Sequence, residues 1–154
     1  VESTADLLTA VQREFSAVDA LLMAAAVADF RPTQAADQKV KKAADRADWQ
    51  LTLTETTDVL KTVADQKRPG QLVVGFAAET QNLLANAQKK LASKGADMIV
   101  ANAVGGQNGA FGSDRDQVTI LRAHQAVDQW PEMSKDGVAT KLVTQLATMM
   151  KSGD

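Results

Sequence analysis

Several residue types are scarce or absent in this chain, and each absence excludes a class of function. There is no cysteine among the 154 residues, so disulfide bonds and thiolate metal sites are ruled out. Tyrosine is also absent, and aromatic residues make up only 4%, which disfavours a base-stacking platform for single-stranded nucleic acid. With a net charge of −2, the chain lacks the basic excess of a general nucleic-acid binder.

Long apolar stretches are missing as well. No run reaches the ~20 residues that span a bilayer, and no signal peptide is visible, so we predict a cytoplasmic protein with no membrane partner. The single histidine, His124, is isolated from other candidate catalytic groups and is predicted to be a surface residue. The length and the ordinary globular composition predict one domain over residues 1–154.

The glycine-rich motifs that bind phosphates are also absent. Neither GxGxxG nor GxxxxGKS/T occurs anywhere in the sequence. A Rossmann-type unit usually begins with a strand and such a turn, whereas this chain begins with a predicted helix. Either the phosphates of a ligand are held in another way, or the N-terminal part of the unit is missing.

Three hydrophobic stretches that end in polar side chains are the most informative feature present. The apolar run 20–28 leads into Asp29 and Arg31, and the stretches VVGFAAET (73–80) and MIVAN (98–102) have the same design. Such runs are typical of buried parallel strands. Ligands of open α/β sheets bind outside the carboxyl ends of the strands, so a site shared by several strand ends is predicted.

Hydrophobic periodicity and capping residues predict four helices, over 3–17, 58–67, 81–94 and about 134–150. Their predicted end signals are a capping box of Ser3 with Asp6, an N-cap at Thr56 or Thr57, an N-cap at Thr80 with a stop at Gly95, and an N-cap at Ser134. The last helix is predicted to be buried through Val138, Leu142 and Leu146.

The remaining segments are predicted as strands and loops. Core strands are predicted over 20–28, 71–77, 97–101 and 117–123, a polar loop over 30–38 and a mobile, glycine-containing loop over 102–114. Two short strands, 39–42 and 49–54, are predicted to form an antiparallel excursion, since the second alternates with period two. This order predicts a Rossmann-like, mostly parallel α/β fold, a three-layer sandwich with a small antiparallel excursion.

The chain resembles phosphopantothenoylcysteine synthetase, the ligase domain usually fused to a flavin-dependent decarboxylase in bacterial coenzyme A biosynthesis. The resemblance covers nearly the whole chain in the family's order. It rests on AAAVADFRP (24–32), KVKK (39–42), LTLTETTDVL (51–60), VGFAAET (74–80), KKLASKGADMIVAN (89–102) and FGSDRDQVTIL (111–121).

The resemblance implies a Rossmann-like homodimer, here associated through the excursion 39–54, that uses CTP and Mg²⁺. The carboxylate of 4′-phosphopantothenate would attack the α-phosphate of CTP, and the amine of cysteine would then attack the acyl-cytidylate. The family begins with a strand and a glycine-rich segment followed by an asparagine-containing loop, which do not precede Val1. We therefore expect a fragment that does not complete the cysteine step on its own.

The resemblance also implies the site residues. Lys39 matches the lysine of a flap over the nucleotide and is the expected catalytic residue, although its spacing alone favours a solvated strand edge. Lys90 and Lys94, four apart on one helix face, match positions that contact CTP. Asp29 is expected to bind Mg²⁺ or a ribose hydroxyl. The other nucleotide contacts expected are Met23, Ala24, Ala25, Thr57, Asp58, Val59, Leu60 and Phe76.

Several of these residues also have ordinary structural explanations. Asp29 and Asp58 are also suited to turns and helix starts, Phe76 to the core, and the two helix lysines to a solvated face. Glu79 and Asn102 are weaker candidates. For the chain as a whole, the alternatives are a nucleotide-binding or dimerisation fragment without ligase activity, and an unrelated Rossmann-like oxidoreductase domain, which the missing GxGxxG disfavours.

Overall fold

The computed structural model describes residues 1–36, 38–41, 50–103 and 113–152. In chain order, its helices and strands are α1 (Thr4–Phe15), β1 (Ala20–Met23), β2 (Phe30–Pro32), β3 (Leu53–Glu55), α2 (Val59–Asp65), β4 (Leu72–Glu79), α3 (Leu83–Lys94), β5 (Met98–Ala103), β6 (Arg115–Asp116), β7 (Val118–Arg122), β8 (Asp128–Gln129), β9 (Met133–Ser134) and α4 (Lys135–Ser152). Over these ranges, none of the helices is long and apolar enough to cross a membrane.

A five-stranded mixed sheet forms the centre of the fold, in the order β1-β4-β5-β7-β8. The first three strands run parallel, with Val74 of β4 opposite Leu22 of β1 and Met98 of β5. β7 and β8 continue the sheet antiparallel. The parallel core strands with their connecting helices confirm the predicted Rossmann-like α/β class.

Alternate residues of the central strands face two separate hydrophobic cores. Val73 of β4 and Ile99 of β5 pack with α1, α2 and α3 on one side of the sheet. Their neighbours Val74 and Met98 pack on the other side, against α4 and the buried Trp130. Both faces of the central sheet are therefore covered, as continuous apolar strands require. This arrangement is the predicted three-layer sandwich.

Several helix ends match the predicted signals. At α1, the Asp6 amide donates to Ser3 Oγ at 3.1 Å and the Ser3 amide donates to Asp6 Oδ2 at 3.0 Å, which confirms the capping box. Gly95 ends α3 with φ of 64°, a conformation that glycine adopts without strain. Ser134 Oγ accepts from the Gly137 amide at 3.1 Å at the start of α4, whose buried residues are those predicted: Val138, Leu142 and Leu146.

Two predicted helix starts are wrong. The N-cap of α2 is Asp58, whose side chain accepts from the Lys61 amide, and neither Thr56 nor Thr57. Asp and Thr are both good N-caps, so the local sequence did not distinguish them. α3 begins at Leu83 after Asn82 in the left-handed conformation with φ of 52°, and not at a cap by Thr80.

The first strand and the excursion also differ from prediction. β1 ends at Met23, and the apolar segment 24–28 is not a strand; Ala24, Ala25, Ala26 and Ala28 are exposed. The antiparallel pair consists of β2 with β3, with Arg31 opposite Thr54, so part of the predicted loop 30–38 is a strand. Residues 39–41 are not in a strand. The other predictions for 42–49 and 104–112 lie outside the described residues.

Candidate functional site

A cleft of about 860 Å³ opens at the carboxyl ends of β1, β4 and β5, the position predicted for a ligand site in an open α/β sheet. One wall is the segment after β1, and the opposite wall combines the β3–α2 connection with the inward face of α3. Its lining residues are Met23, Ala24, Ala25, Ala26, Val27, Ala28, Asp29, Phe30, Glu55, Thr56, Thr57, Asp58, Val59, Leu60, Phe76, Ala78, Lys90, Lys94 and Asn102.

The wall after β1 is made of small residues and main chain. It leaves the sheet in a tight bend, where the Ala24 amide donates to the carbonyl of Leu22 at 3.1 Å. Val27 packs against the core beneath it. Because alanine side chains are short, a ligand can approach the main chain of this wall closely, although the Ala24 amide and the carbonyls of Ala28 and Asp29 are already hydrogen-bonded within the chain.

Asp58 joins two helices at the opposite wall. Its Oδ1 accepts from the Lys61 amide at 2.9 Å, which caps α2, while its Oδ2 pairs with the ammonium of Lys94 in the last turn of α3. Burial opposes ionisation of Asp58, but the Lys61 amide, Lys94 and the nearby Lys90 outweigh it and hold the pKa of this carboxyl below its ordinary value. The carboxylate is therefore charged near neutral pH.

Lys90 lies one helical turn before Lys94 and faces the same cleft, as the spacing predicted. Its Nζ donates to the carbonyl of Phe76 at 2.7 Å, at the carboxyl-terminal half of β4. An ammonium group has three donors, so this bond leaves two for a ligand. Lys89, which precedes it, is exposed and does not line the cleft.

All of the predicted nucleotide contacts except Lys39 line this one cleft. Lys39 is exposed, lies outside a strand and is absent from the lining. Of the two weaker candidates, Asn102 lines the cleft and donates to Asp116 Oδ2 at 3.3 Å. Glu79 instead accepts from Asn86 Nδ2 at 2.8 Å and does not line it.

Sequence reasoning missed several lining residues for identifiable reasons. Ala26, Val27 and Ala28 fell inside the predicted strand 20–28, which concealed their role as a cleft wall. Phe30 and Glu55 reach the cleft because β2 pairs with β3, a contact between distant segments that no local pattern signals. Thr56 had been assigned only as a candidate helix cap.

The acidic residues of the cleft bear on metal binding. Asp29, Glu55 and Asp58 line it, but within the described ranges no group of three acidic or histidine side chains forms a metal cage. Mg²⁺ usually takes one or two carboxylates and completes its shell with water and substrate phosphates. The exposed carboxylate of Asp29 fits that mode, in which a phosphate ligand supplies the remaining oxygens.

Comparison with known proteins identifies the family. A family model described as the DNA/pantothenate metabolism flavoprotein C-terminal domain matches residues 1–150. The chain belongs to this family. This result confirms the resemblance described from the sequence. The alternative of an unrelated Rossmann-like oxidoreductase domain is therefore wrong.

Relatives within the family carry names from coenzyme A biosynthesis. The chain is 40% identical over 151 residues to the bifunctional protein CoaBC of Bacillus subtilis (strain 168), covering 98% of this chain and 36% of the relative. It is 37% identical over 163 positions to CoaBC of Mycolicibacterium smegmatis, covering 100% of this chain and 39% of the relative. The chain thus spans little more than a third of the length of these curated relatives.

A solved structure supports the same assignment. The C-terminal domain of a CoaBC superposes with a TM-score of 0.76 at 35% sequence identity, covering 99% of this chain and 65% of that domain. The likeness therefore extends over the sheet, the helices and the cleft, while about a third of the solved domain has no counterpart in this chain.

Proposed function

We propose that this chain forms the CTP-binding part of a phosphopantothenate–cysteine ligase of coenzyme A biosynthesis. The observation that carries the proposal is the cleft itself, in which two ammonium groups of α3 face a wall of main-chain donors and acceptors. Family membership and CoaBC relatives support coenzyme A biosynthesis as the setting. We also propose that the whole protein contains a fused flavin-dependent decarboxylase domain.

The two walls suit the two ends of a nucleoside triphosphate. Lys90 and Lys94 provide positive charge for phosphate oxygens, and charge-assisted hydrogen bonds of this kind are about twice as strong as neutral ones. The main chain of Met23, Ala24 and Ala25 can pair with the edge of a cytosine, while Phe76 offers an apolar surface to the ribose or base. CTP is the nucleotide that the family resemblance indicates.

The reaction follows from the need to activate a carboxylate. A carboxylate oxygen of 4′-phosphopantothenate forms a bond to the α-phosphorus of CTP as the bond to pyrophosphate breaks. The cysteine nitrogen then forms a bond to the acyl carbon, CMP leaves, and the ammonium proton is released. Mg²⁺ bound at Asp29 and the phosphates would supply charge neutralisation. The chain's own groups contribute mainly by positioning and by neutralising charge on the phosphates.

Nucleotide selectivity tests the proposal directly. Calorimetric titration of the chain with CTP, UTP, ATP and GTP in the presence of Mg²⁺ should give the tightest binding for CTP. A hydrogen-bonded edge commonly discriminates by ~1–3 kcal/mol, about five- to 150-fold in affinity. Equal affinities for the four nucleotides would contradict a cytosine-reading wall, and no binding of any of them would contradict the proposed site.

Lys39 has a separate test because it lies outside the cleft lining. If it acts as the resemblance implies, Lys39→Gln in the whole enzyme will slow single-turnover formation of the acyl-cytidylate more than it weakens CTP binding. An interaction made only in the transition state lowers turnover in this way. Lys41→Gln is the matched control, as a neighbouring exposed lysine outside the cleft lining. If Lys39→Gln formed the acyl-cytidylate at the wild-type rate, a catalytic role for Lys39 would be excluded.

A second candidate is nucleotide binding without ligation. It is favoured by the position of Lys39, the expected catalytic residue, which is exposed and does not line the cleft. Incubation of the chain with CTP, Mg²⁺, phosphopantothenate and cysteine, followed by assays for pyrophosphate and for phosphopantothenoylcysteine, separates the two. Binding without either product would favour the second candidate.

A further inference from the structure

Thr56 makes two hydrogen bonds that join the β3–α2 connection to the segment after β1. It lies in the connection between β3 and α2, where its amide donates to the carbonyl of Asp29 at 2.8 Å. Its hydroxyl donates to the carbonyl of Ala28 at 2.5 Å. One residue thus holds two consecutive carbonyls of a segment that is distant in sequence. Both residues that it contacts belong to the wall after β1.

The hydroxyl bond adds a side-chain contact at the end of a backbone ladder. The amide bond continues the antiparallel ladder in which Phe30 lies opposite Glu55. In the register of this ladder no backbone amide is placed to pair with the carbonyl of Ala28, and the Thr56 side chain donates to it instead. A hydroxyl on a short side chain is suited to this role because it can donate to a nearby main-chain carbonyl.

The wall has few other attachments. Over the described residues, the hydrogen bonds that tie segment 25–29 to another element are the two from Thr56. Val27 adds an apolar contact with the core, but the neighbouring alanines have no side-chain groups that could anchor the main chain. Between the end of β1 and the β2–β3 ladder, Thr56 is therefore the residue whose hydrogen bonds hold this segment.

We propose that Thr56 is a positioning residue, which sets the placement of the nucleotide-reading wall through its hydroxyl group. This inference rests on the proposed function of the cleft and adds a residue that acts on the ligand through Ala28 and Asp29. Without the hydroxyl bond, the segment after β1 becomes more mobile, and its main-chain donors and acceptors are no longer held in line with the nucleotide base. Binding then weakens, because the order of the wall must be restored when the ligand binds.

The test compares Thr56→Val, Thr56→Ser and Thr54→Val. Thr56→Val keeps the branched shape and the amide bond but removes the hydroxyl, whereas Thr56→Ser keeps the hydroxyl. Thr54→Val makes the same chemical change in β3 at a residue that does not line the cleft. For each, we would measure the dissociation constant for CTP with Mg²⁺, the urea unfolding midpoint, and hydrogen exchange of peptides that span residues 24–29.

We expect Thr56→Val to raise the dissociation constant about three- to tenfold, the effect of losing one net hydrogen bond, and to speed exchange of the wall. Thr56→Ser and Thr54→Val should stay within about twofold of wild type, and all unfolding midpoints should remain close together. A Thr56→Val protein with wild-type affinity, or an equal loss in Thr56→Ser, would overturn the inference.

Failure of the proposed function has a different signature. If the wild-type chain bound no CTP, the nucleotide site itself would be wrong, and the positioning of a nucleotide-reading wall would fall with it. The exchange measurement would still show whether the hydroxyl orders the wall. If wild type bound CTP and exchange were equal in wild type and Thr56→Val, only the role of Thr56 would be refuted.

Discussion

At the scale of single residues, Asp58 links capping, charge and the cleft. One of its oxygens accepts from the Lys61 amide and caps α2, and the other forms an ion pair with Lys94. The sequence indicated Asp58 as a nucleotide contact by resemblance and as a helix-start acid by composition. The structure shows that the Asp58 carboxylate caps α2 and also holds Lys94 of the cleft. We therefore expect its removal to change both stability and ligand binding.

Stability should depend on pH through Asp58. Its folded-state pKa is lowered from 3.8, so its charge stabilises the fold above the unfolded pKa, and this contribution disappears as the pH falls through the lowered folded-state value. Asn is as good an N-cap as Asp, so Asp58→Asn isolates the charge. We expect the variant to lose of the order of 1 kcal/mol at pH 7, after allowance for solvent screening, and the difference to shrink below about pH 4.

Urea unfolding of wild type and variant at pH 7, 5, 4 and 3 measures this difference. Asp65→Asn is the control, because its ion pair with Lys61 is about half exposed on both sides and such pairs contribute only ~0–1 kcal/mol. A difference between wild type and Asp58→Asn that stayed constant over the whole pH range would contradict the ionic role.

Two adjacent lysines provide a matched test of the phosphate contact. Lys90 faces the cleft, whereas Lys89 is exposed and does not line it. We expect Lys90→Met to weaken CTP binding about tenfold or more, since a hydrogen bond to a charged group contributes ~1.5–3 kcal/mol. Lys89→Met removes the same charge and should change affinity less than about threefold, through long-range electrostatics only. Equal losses in the two variants, measured by calorimetry at fixed ionic strength, would count against a direct contact.

At the scale of helices and strands, prediction succeeded where the signal is local. The capping box of Ser3 with Asp6 and the buried face of α4 depend on residues three or four apart, and the stop at Gly95 depends on that one residue. The structure has all three features. The core strands were also found, because short continuous apolar runs bounded by turn residues are consistent with buried strands.

Prediction from the sequence failed where long-range contacts determine strand pairing or where small residues leave the end of a strand unmarked. The alanines after Met23 look as apolar as a buried strand, yet they are exposed and form a cleft wall. Alanine tolerates either environment, so composition did not mark where the strand ends. The partner of β3 turned out to be β2, since pairing depends on which distant segments meet. For the site, strand ends and the family resemblance predicted most of the lining, but not Thr56.

The packing of α2 on the sheet depends on a glycine in β4. A Cβ built at Gly75 would lie 2.6 Å from Leu60 Cδ2 and 2.8 Å from Ile99 Cδ1, both in the well-packed core. We expect Gly75→Ala to lower the free energy of unfolding by about 1–3 kcal/mol, the usual cost of overpacking, measured by urea denaturation. Adding Leu60→Val should restore part of the loss, because it removes the carbon that clashes most. Strict additivity of the two changes would contradict this explanation.

At the scale of the whole molecule, the ribbon of β2 and β3 presents apolar side chains to solvent. Phe30 of β2 and Leu53 of β3 are 55% and 51% exposed, and Val40 and Leu51, outside the two strands, are 53% and 54% exposed. Apolar side chains that cluster on a surface mark interaction sites, and an uncovered two-stranded ribbon is only marginally stable in water. The resemblance implies a homodimer associated through residues 39–54. We propose that the ribbon, whose strand β3 includes the end of that segment, pairs with the ribbon of a second copy of the chain.

This proposal predicts that one charge on the ribbon shifts the oligomeric state. Leu53→Asp should convert a dimer to a monomer in light scattering at micromolar concentration, because an isologous interface meets the buried charge twice. Leu84→Asp places the same charge on α3, at a leucine that is 41% exposed and does not line the cleft, and should leave the dimer intact. A wild-type monomer, or loss of the dimer in both variants, would exclude the ribbon as the specific interface. Since β2 and β3 also carry Phe30 and Glu55 of the cleft, the Leu53 variant should bind CTP more weakly as it dissociates.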